Sequence, residues 1–342
     1  RVAYTDKQGY YEDLLQQAKE DNGNDGFYRV EDSGRKTKND DSLYGYRSAT
    51  VFSSLMNLDV SHLFQSLYME GGKNFYCYNG ASPLPSAMFS VKYMLSSNPV
   101  DESPLRTLVG SSNGNYLYRN NYCLPLGYMM SEKAIRGWES SMLDRIGSLN
   151  SLAQQLGAKG DMLYPAACTQ SQAAGDTTID ISEDGYYYAD YVTCNADSLT
   201  VSRDDGWTQQ YGKTTHRYLL DLGECKAGTK VHITNLNAET IEYHVYRLNF
   251  KAMCTAYETL SEQTMSLEKM TDRRIVGSID VRQAGRLILS VPADEGWSLY
   301  VDGKKTKIKP FADALIGVHL KEGTHKIELR YTTPVSYTHL RA

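Results

Sequence analysis

Residues 296–304 read GWSLYVDGK, and this stretch decides the fold expected for the end of the chain. Trp297, Leu299 and Val301 alternate with other side chains, which is the two-residue period of a strand that buries one face. Asp302-Gly303 follows directly, a dipeptide preferred in two-residue hairpin turns because both positions need a positive φ. The stretch therefore predicts a β-hairpin with Trp297 in the core.

The same alternation recurs on both sides of this hairpin, so further half-buried strands are expected there. Its apolar positions are Leu287, Leu289, Val291, Ile327, Leu329 and Tyr331. The return strand carries four lysines, Lys304, Lys305, Lys307 and Lys309. A lysine-rich edge prevents strands of different molecules from pairing, which is the simpler interpretation. The alternative is a contact with an anionic polymer or with lipid headgroups.

Upstream of the hairpin, short alternating segments separated by turn residues predict a β-sandwich of jelly-roll type. These segments are 177–181, 186–192, 199–203, 216–222, 230–235 and 243–250. Met253, Ala256, Tyr257 and Leu260 interrupt them with helical spacing, so one inserted helix is expected. We predict that residues 161–334 form this all-β domain.

The first part of the chain mixes helix and strand signals and predicts an α+β domain over residues 1–160. Thr5 begins a capping box that precedes an apolar helical stripe. The stripe consists of Tyr11, Leu14, Leu15 and Ala18. Dense apolar residues over 42–69 favour helix, whereas 87–95 resembles a strand.

Composition limits the classes of protein to which the chain can belong. Hydrophobic residues make up 41% and charged residues 23%, with a mean hydropathy of -0.49, which indicates a folded chain rather than a disordered one. A net charge of -5 argues against non-specific nucleic-acid binding, which requires a basic face. No apolar run reaches the roughly 18–20 residues of a membrane helix.

The two ends of the sequence suggest that it is not a complete natural product. It begins at Arg1 without a methionine, and residues 335–342 continue no pattern of the preceding segment. We therefore expect a fragment or a processed product that ends in a tail of foreign origin.

No catalytic or metal-binding motif emerges from the sequence. The six cysteines are far apart, without a CxxC pair, so we expect no metal site and no cofactor. We expect buried free thiols, and disulfides are the alternative because an even number of cysteines in an exported protein permits them. Phosphate-binding loops, dinucleotide-binding loops and the GxSxG elbow of hydrolases are missing. Acidic pairs such as Asp180 with Glu183 fall in turn-like stretches and are expected to be solvated loop residues.

Tyrosine is unusually frequent, with 27 tyrosines against 7 phenylalanines. The simpler explanation is the preference of strands for tyrosine. Alternatively, aromatic rings in the all-β part contact the apolar faces of sugar rings. The candidates for such contacts are Tyr186, Tyr187, Tyr188, Trp207 and Tyr211.

Several stretches, in this order, resemble the extracytoplasmic part of the YfhO family of bacterial membrane proteins. They are 43–57 (LYGYRSATVFSSLMN), 89–96 (FSVKYMLS), 118–128 (YRNNYCLPLGY), 296–304 (GWSLYVDGK) and 320–334 (LKEGTHKIELRYTTP). Each stretch is only moderately specific, and their order and spacing carry the resemblance across nearly the whole chain.

The resemblance implies a parent protein with many transmembrane helices, of the GT-C glycosyltransferase type. Such a protein transfers sugar from a lipid-linked donor, on the outer face of the membrane, to a cell-envelope polymer such as teichoic acid. The implied catalytic carboxylate lies in the membrane part, so no catalytic residue is carried over to this chain. The chain is then expected at the extracytoplasmic face, where it positions the acceptor or covers the active site.

Seven polar residues of the resembling stretches are candidates for contact with the membrane part or the acceptor. They are Arg47, Ser53, Ser54, Asn57, Lys92, Tyr93 and Asn120. Two alternatives remain open: a stand-alone, non-catalytic carbohydrate-binding or cell-surface interaction protein, and a secreted glycosidase. The glycosidase would require two carboxylates facing each other about 5–10 Å apart in a cleft.

Overall fold

The computed structural model describes residues 8–192 and 194–333. Strands predominate in this part of the chain, where they form six sheets, and helices are fewer. The capping box expected at Thr5 and the tail expected over 335–342 lie outside the described residues.

Seven helices occur within the described ranges. They are α1 (Gln8–Asn22), α2 (Asp40–Tyr44), α3 (Leu58–Ser66), α4 (Pro83–Met88), α5 (Glu132–Gly137), α6 (Arg145–Gln155) and α7 (Phe250–Ser261). The stripe predicted for α1 is confirmed, because Tyr11, Leu14 and Ala18 are buried. Helix α7 is the inserted helix that the sequence predicts, and Asn249 caps it by accepting from the Ala252 amide.

The first eight strands form two sheets and contribute one strand to a third. They are β1 (Arg29–Asp32), β2 (Val51–Phe52), β3 (Glu70–Gly71), β4 (Phe75–Cys77), β5 (Val91–Ser96), β6 (Arg106–Ser112), β7 (Asn115–Asn120) and β8 (Gly127–Met130). The sheet order is β1-β5-β7-β6 in one sheet and β2-β4-β3 in the other. Helix α1 packs on the larger sheet, where Tyr11 and Leu14 share an apolar cluster with Leu117.

Two sequence-based expectations for this part were wrong in detail. Residues 42–69 are not one helix: α2 ends at Gly45, whose φ is 74°, and the chain is extended through β2 before α3 begins. The segment 87–95 is not one strand, because α4 begins with Pro83 and continues to Met88. Apolar density alone does not distinguish a helix from a strand. In 42–69 it also includes exposed side chains, such as Phe52 and Leu55, that contribute to no core.

The next nine strands form two sheets that enclose one apolar cluster. They are β9 (Leu163–Pro165), β10 (Cys168–Ala173), β11 (Asp176–Ile181), β12 (Gly185–Tyr191), β13 (Ser198–Arg203), β14 (Thr208–Gly212), β15 (Leu220–Cys225), β16 (Lys230–Thr234) and β17 (Tyr243–Leu248). Their orders are β10-β11-β16-β13-β14 and β15-β12-β17-β9. Ile179 and Val201 of the first sheet meet Tyr187 and Leu222 of the second in this cluster.

The last seven strands contain the β-hairpin predicted from residues 296–304. They are β18 (Ser266–Thr271), β19 (Arg274–Val281), β20 (Gly285–Pro292), β21 (Trp297–Val301), β22 (Lys304–Thr306), β23 (Leu315–Leu320) and β24 (Gly323–Tyr331). The predicted turn between β21 and β22 is confirmed, with φ values of 52° at Asp302 and 77° at Gly303. Trp297 is half-buried against Tyr331 rather than fully enclosed.

Strand β8 pairs with β20, which joins the first part of the chain to the last. The register places Tyr128 opposite Ile288 in an antiparallel ladder, and the sheet order is β23-β20-β8. Arg29 of β1 adds a second link, because its guanidinium donates to the Ser290 hydroxyl at 3.0 Å. The domain boundary expected near residue 160 stays a prediction.

Candidate functional site

A cleft lies where the β1-β5-β7-β6 side of the molecule meets strands β12, β14 and β15. Four of the five predicted sugar-binding aromatics line it: Tyr186, Tyr188, Trp207 and Tyr211. Facing side chains from earlier in the chain include Arg35, Tyr78, Asn79, Met94, Asp101 and Arg106. Its empty space is about 770 Å³, including the part open to solvent. We call this site the aromatic cleft.

The pleat of β12 decides which tyrosines reach the cleft. Side chains of a strand alternate between its two faces, so Tyr186 and Tyr188 point one way and Tyr187 the other. The ring centroids of Tyr186 and Tyr188 are 5.4 Å apart. Tyr187 is buried in the cluster between the two sheets, and its hydroxyl donates to the Glu183 carbonyl at 2.6 Å. The structure thus places Tyr187 outside the cleft.

An ion pair across the cleft joins Arg106 of β6 to Asp221 of β15. The Arg106 guanidinium lies 3.1 Å from Asp221 Oδ2 and donates to the Tyr186 hydroxyl at 3.1 Å. Tyr186 in turn donates to Asp221 Oδ2 at 2.8 Å. Burial raises the pKa of Tyr186 well above its ordinary value of 10.0, so the hydroxyl keeps its proton and remains a donor.

A second arginine, Arg203, contacts the ring of Trp207 and binds Asp101. Arg203 makes a bidentate pair with Asp101, with N–O distances of 2.7 and 3.1 Å. Its guanidinium carbon lies 4.7 Å from the centroid of the Trp207 ring, a cation–π contact. Both carboxylates that line the cleft are therefore held by arginines from the opposite part of the chain.

Two polar atoms at the cleft have no hydrogen-bond partner among the described residues. They are the hydroxyl of Tyr188, which is 1% exposed, and Nε1 of Trp207. Leaving a buried polar group unsatisfied costs roughly 1–3 kcal/mol.

Arg35 forms the cleft wall at the N-terminal side and is fixed by a buried polar network. It donates to the Asp32 carbonyl at 2.6 Å and to the Asn79 side chain. Glu31 lies 3.7 Å away and is 1% exposed. Ser48 of the 43–57 stretch donates to Glu31 at 2.7 Å. That stretch therefore supports the cleft indirectly.

Asn120 is a buried positioning residue rather than a surface contact. Its amide donates to the Val91 carbonyl at 3.0 Å and to the Ser86 hydroxyl at 3.1 Å. The Tyr78 hydroxyl is 2.8 Å from Ser86, and the Tyr78 ring lines the cleft. Asn120 thus fixes one wall of the cleft from behind.

The other candidate contact residues do not converge on the cleft. Lys92 donates to Asp25 at 2.9 Å, and Tyr93, which is fully buried, donates to Asp21 at 2.7 Å. Both side chains therefore bind the end of α1 and the turn after it. Arg47 is exposed, with its guanidinium 5.6 Å from the Phe27 ring centroid.

Ser53, Ser54 and Asn57 belong to a surface turn between β2 and α3. Asn57 caps α3 by accepting from the Asp59 amide at 2.8 Å, and it donates to the Ala293 carbonyl at 2.9 Å. Ser53 accepts from the Leu55 amide at 3.2 Å, and Ser54 is exposed. The turn also exposes apolar side chains, namely Phe52 (49%), Leu55 (92%) and Leu58 (45%).

The described part of the chain also bears on metal binding, on disulfides and on membrane-spanning helices. Within 8–192 and 194–333, no three His, Cys, Asp or Glu side chains form a group that could hold a metal ion. The six cysteines are free. Within the same ranges, no helix combines the length and apolar character required to cross a bilayer.

Comparison with known proteins connects the chain to one family. The family model described as Bacterial membrane protein YfhO matches residues 2–340. The uncharacterized protein YfhO of Bacillus subtilis (strain 168) is 21% identical over 340 residues, which cover 85% of this chain. The chain spans only 39% of the length of that relative.

Solved structures show weak similarity only. A cupin 2 conserved barrel domain protein from Leptotrichia buccalis has a TM-score of 0.13 and 11% identity, covering 49% of this chain and 90% of that one. The β-glucosidase DesR from Streptomyces venezuelae has a TM-score of 0.15 and 9% identity, covering 50% of this chain and 42% of that one. Scores this low support no inference about fold or function.

Proposed function

Because this chain belongs to the YfhO family of bacterial membrane proteins, we propose that it is the extracytoplasmic region of a multi-spanning membrane glycosyltransferase. In this proposal a membrane part of GT-C type holds the catalytic centre. It transfers sugar from a lipid-linked donor to a cell-envelope polymer of the teichoic acid type. The chain spans 39% of its Bacillus subtilis relative, so the activity belongs to the proposed parent and not to this region alone.

The role proposed for the chain itself is to bind and position the acceptor polymer in the aromatic cleft. The observation that carries this proposal is the meeting of Tyr186, Tyr188, Trp207 and Tyr211 with the Arg106–Asp221 pair. Aromatic rings cover the apolar face of a sugar ring, whereas charged and polar groups bond its hydroxyls. A concave site with both kinds of group suits a carbohydrate.

The charges of the cleft favour binding over hydrolysis. A glycosidase pairs one carboxylate with a second carboxyl group that donates a proton to the leaving oxygen. Here Asp101 and Asp221 are each engaged by an arginine, at 2.7 Å from Arg203 and 3.1 Å from Arg106. Neither is arranged as a proton donor.

We also propose that the exposed turn 52–58 contacts the membrane part of the parent. Phe52, Leu55 and Leu58 present apolar surface there, next to Ser53, Ser54 and Asn57. Arg47 is exposed in the same resembling stretch. On this view the two modules expected from the sequence, an α+β domain over 1–160 and a jelly-roll-like sandwich over 161–334, hold the cleft between them.

Calorimetric titration of the chain with teichoic acid fragments tests the binding role. Trp207→Ala removes a stacking surface, and we expect roughly tenfold weaker binding. Tyr188→Phe removes only the hydroxyl, for which the described residues offer no partner, and we expect a loss of roughly three- to tenfold if the sugar bonds to it. Tyr187→Phe is the matched control, because this neighbour lies on the opposite face of β12, and it should leave affinity unchanged.

The proposed role would be refuted if the wild-type chain showed no binding, or if all three variants bound equally well. In the full-length parent, Trp207→Ala should also lower the amount of sugar attached to the envelope polymer. If binding were lost while sugar transfer continued unchanged, the cleft would be a carbohydrate-binding site without a role in acceptor positioning.

A further inference from the structure

A second cavity adjoins the aromatic cleft at Tyr186, which lines both. Its empty space is about 960 Å³, including the part open to solvent. The end of β17 and the start of α7 form much of its wall, through Arg247, Asn249 and Phe250. We call it the β17 cavity.

Aromatic side chains line the β17 cavity, as they line the aromatic cleft. Tyr164 of β9 and Tyr186 are half-buried, and Phe250 is 37% exposed. The Phe250 ring makes an edge contact with Tyr122, with 5.8 Å between centroids, which fixes its orientation. Aromatic rings at a concave site offer apolar surface to the face of a sugar ring.

Polar groups of the β17 cavity have bonding capacity left for a ligand. Glu224 of β15 is half-buried, and its carboxylate has no hydrogen bond or ion pair to any residue that the structure describes. Asn249 accepts from the Ala252 amide at 3.1 Å through Oδ1, and within the described ranges no hydrogen bond uses its Nδ2. An acceptor and a donor therefore remain for the hydroxyl groups of a sugar.

Arg247 does not make the β17 cavity a site for anions. It pairs with Glu183 and donates to the Asp184 carbonyl, so its charge is already balanced. Its side chain lies over Gly185, where an added Cβ would be only 2.5 Å from Arg247 Nε. The unpaired carboxylate of Glu224 then disfavours a phosphate or a second carboxylate. The cavity is thus suited to an uncharged group.

We propose that the β17 cavity is a second carbohydrate subsite, which binds an uncharged sugar unit of the same polymer that occupies the aromatic cleft. Tyr186 is held between the two by Arg106 at 3.1 Å and by Asp221 at 2.8 Å, so it is a fixed wall of both. Two linked sugar units bind more tightly than one, because the second binds within the same complex. This inference rests on the proposed carbohydrate-binding role of the aromatic cleft. It adds that the chain recognises a run of sugar-bearing units.

Titration calorimetry with two teichoic acid fragments tests the second subsite. The short fragment carries a single sugar-bearing repeat, and the long fragment carries several. The wild-type chain should bind two short fragments per molecule, and it should bind the long fragment at least about tenfold more tightly than the short one. Phe250→Ala should leave one short fragment per molecule and reduce the advantage of the long fragment to about twofold. Trp207→Ala should reduce that advantage equally, from the side of the cleft.

Glu224→Gln tests the same subsite without removing a packed ring. It should weaken binding of the second short fragment roughly three- to tenfold, because a charged acceptor is lost. Leu236→Ala is the control for Phe250→Ala. It removes an apolar side chain that is 96% exposed and lines neither cavity, so both sites and the advantage of the long fragment should remain.

Two results would overturn this inference alone. One is a single short fragment per wild-type molecule, with an affinity that Trp207→Ala lowers and that Phe250→Ala and Glu224→Gln leave unchanged. The other is equal affinity of the wild type for the short and the long fragment. Absence of binding by both fragments overturns the proposed function as well.

Discussion

Glu70 of β3 is a fully buried carboxylate. Lys38 donates to it at 2.8 Å, Asn79 donates at 2.8 Å, and the His216 ring lies 3.0 Å away. Burial opposes its ionisation, but Lys38 and His216 outweigh this and lower the pKa of Glu70 below 4.5. The carboxylate thus links β3 to Lys38 and to Asn79, which lines the aromatic cleft.

Substituting Glu70→Gln should destabilise the fold in a pH-dependent way. Because the pKa of Glu70 is lowered on folding, the folded state binds fewer protons, and the carboxylate stabilises the fold above pH 4.5 but not well below it. We expect a loss of about 2–3 kcal/mol at pH 7, because Lys38 keeps its charge without its partner. Urea denaturation between pH 3 and pH 7 measures this.

The matched control is Glu268→Gln. This carboxylate is half-exposed and 4.0 Å from Lys326, so its loss should change stability by less than about 0.5 kcal/mol at any pH. An equal effect of both substitutions, or a Glu70 effect that does not change with pH, would contradict the assigned role.

At the level of single residues, the sequence singled out four aromatic residues that line the cleft but none of its charged residues. Tyr186 and Trp207 were candidates because they are aromatic residues in the all-β part, where rings can cover the apolar face of a sugar. Arg106 and Asp221 were not, since the chain has 36 basic and 41 acidic residues and only the fold brings these two together. Tyr187 shows a second limit, because residues consecutive in a strand point to opposite faces.

At the level of elements, the β21–β22 hairpin followed directly from the sequence because its turn has strict backbone requirements. Asp302 and Gly303 both have positive φ, as the type of turn demands. By contrast, the change from α4 to β5 was not predicted. Ser90 turns the chain there with a φ of 56°. A serine in the sequence does not indicate such a backbone angle.

Gly303→Ala should destabilise the chain by about 1–2 kcal/mol. Gly303 has a φ of 77° and open space around it, so the cost arises from the left-handed backbone and not from a clash. Gly212→Ala in β14 is the control, because Gly212 has equally open space and no positive φ. Its substitution should be neutral or stabilising in the same denaturation experiment.

At the scale of the whole molecule, distant parts of the chain form common structural units. Met129 of β8 pairs with Leu287 of β20, and Arg29 donates to Ser290 of the same strand at 3.0 Å. Arg29 also donates to the Phe89 carbonyl at 2.7 Å. Periodicity describes single elements, so the sequence could not show that β8 completes a sheet with strands near the other end.

These links predict that the first and last parts of the chain unfold in one cooperative transition. Arg29→Lys should lose at least one of the bonds to Phe89 and Ser290, lowering stability by about 2–3 kcal/mol while keeping a single transition. Arg273→Lys is the control at an exposed arginine and should change stability by less than about 0.5 kcal/mol. Two well-separated transitions in the wild type, seen by calorimetry, would contradict the prediction.

The binding of a glycan in the aromatic cleft is tested most directly by the indole N–H signals of the three tryptophans in an NMR titration. Trp207 Nε1 has no partner among the described residues, whereas Trp138 Nε1 donates to the Ser148 carbonyl at 2.9 Å, and Trp297 lies in the distant β21. We predict that a teichoic acid fragment shifts the Trp207 signal progressively and leaves the other two in place. An unmoved Trp207 signal at saturating ligand would contradict the account.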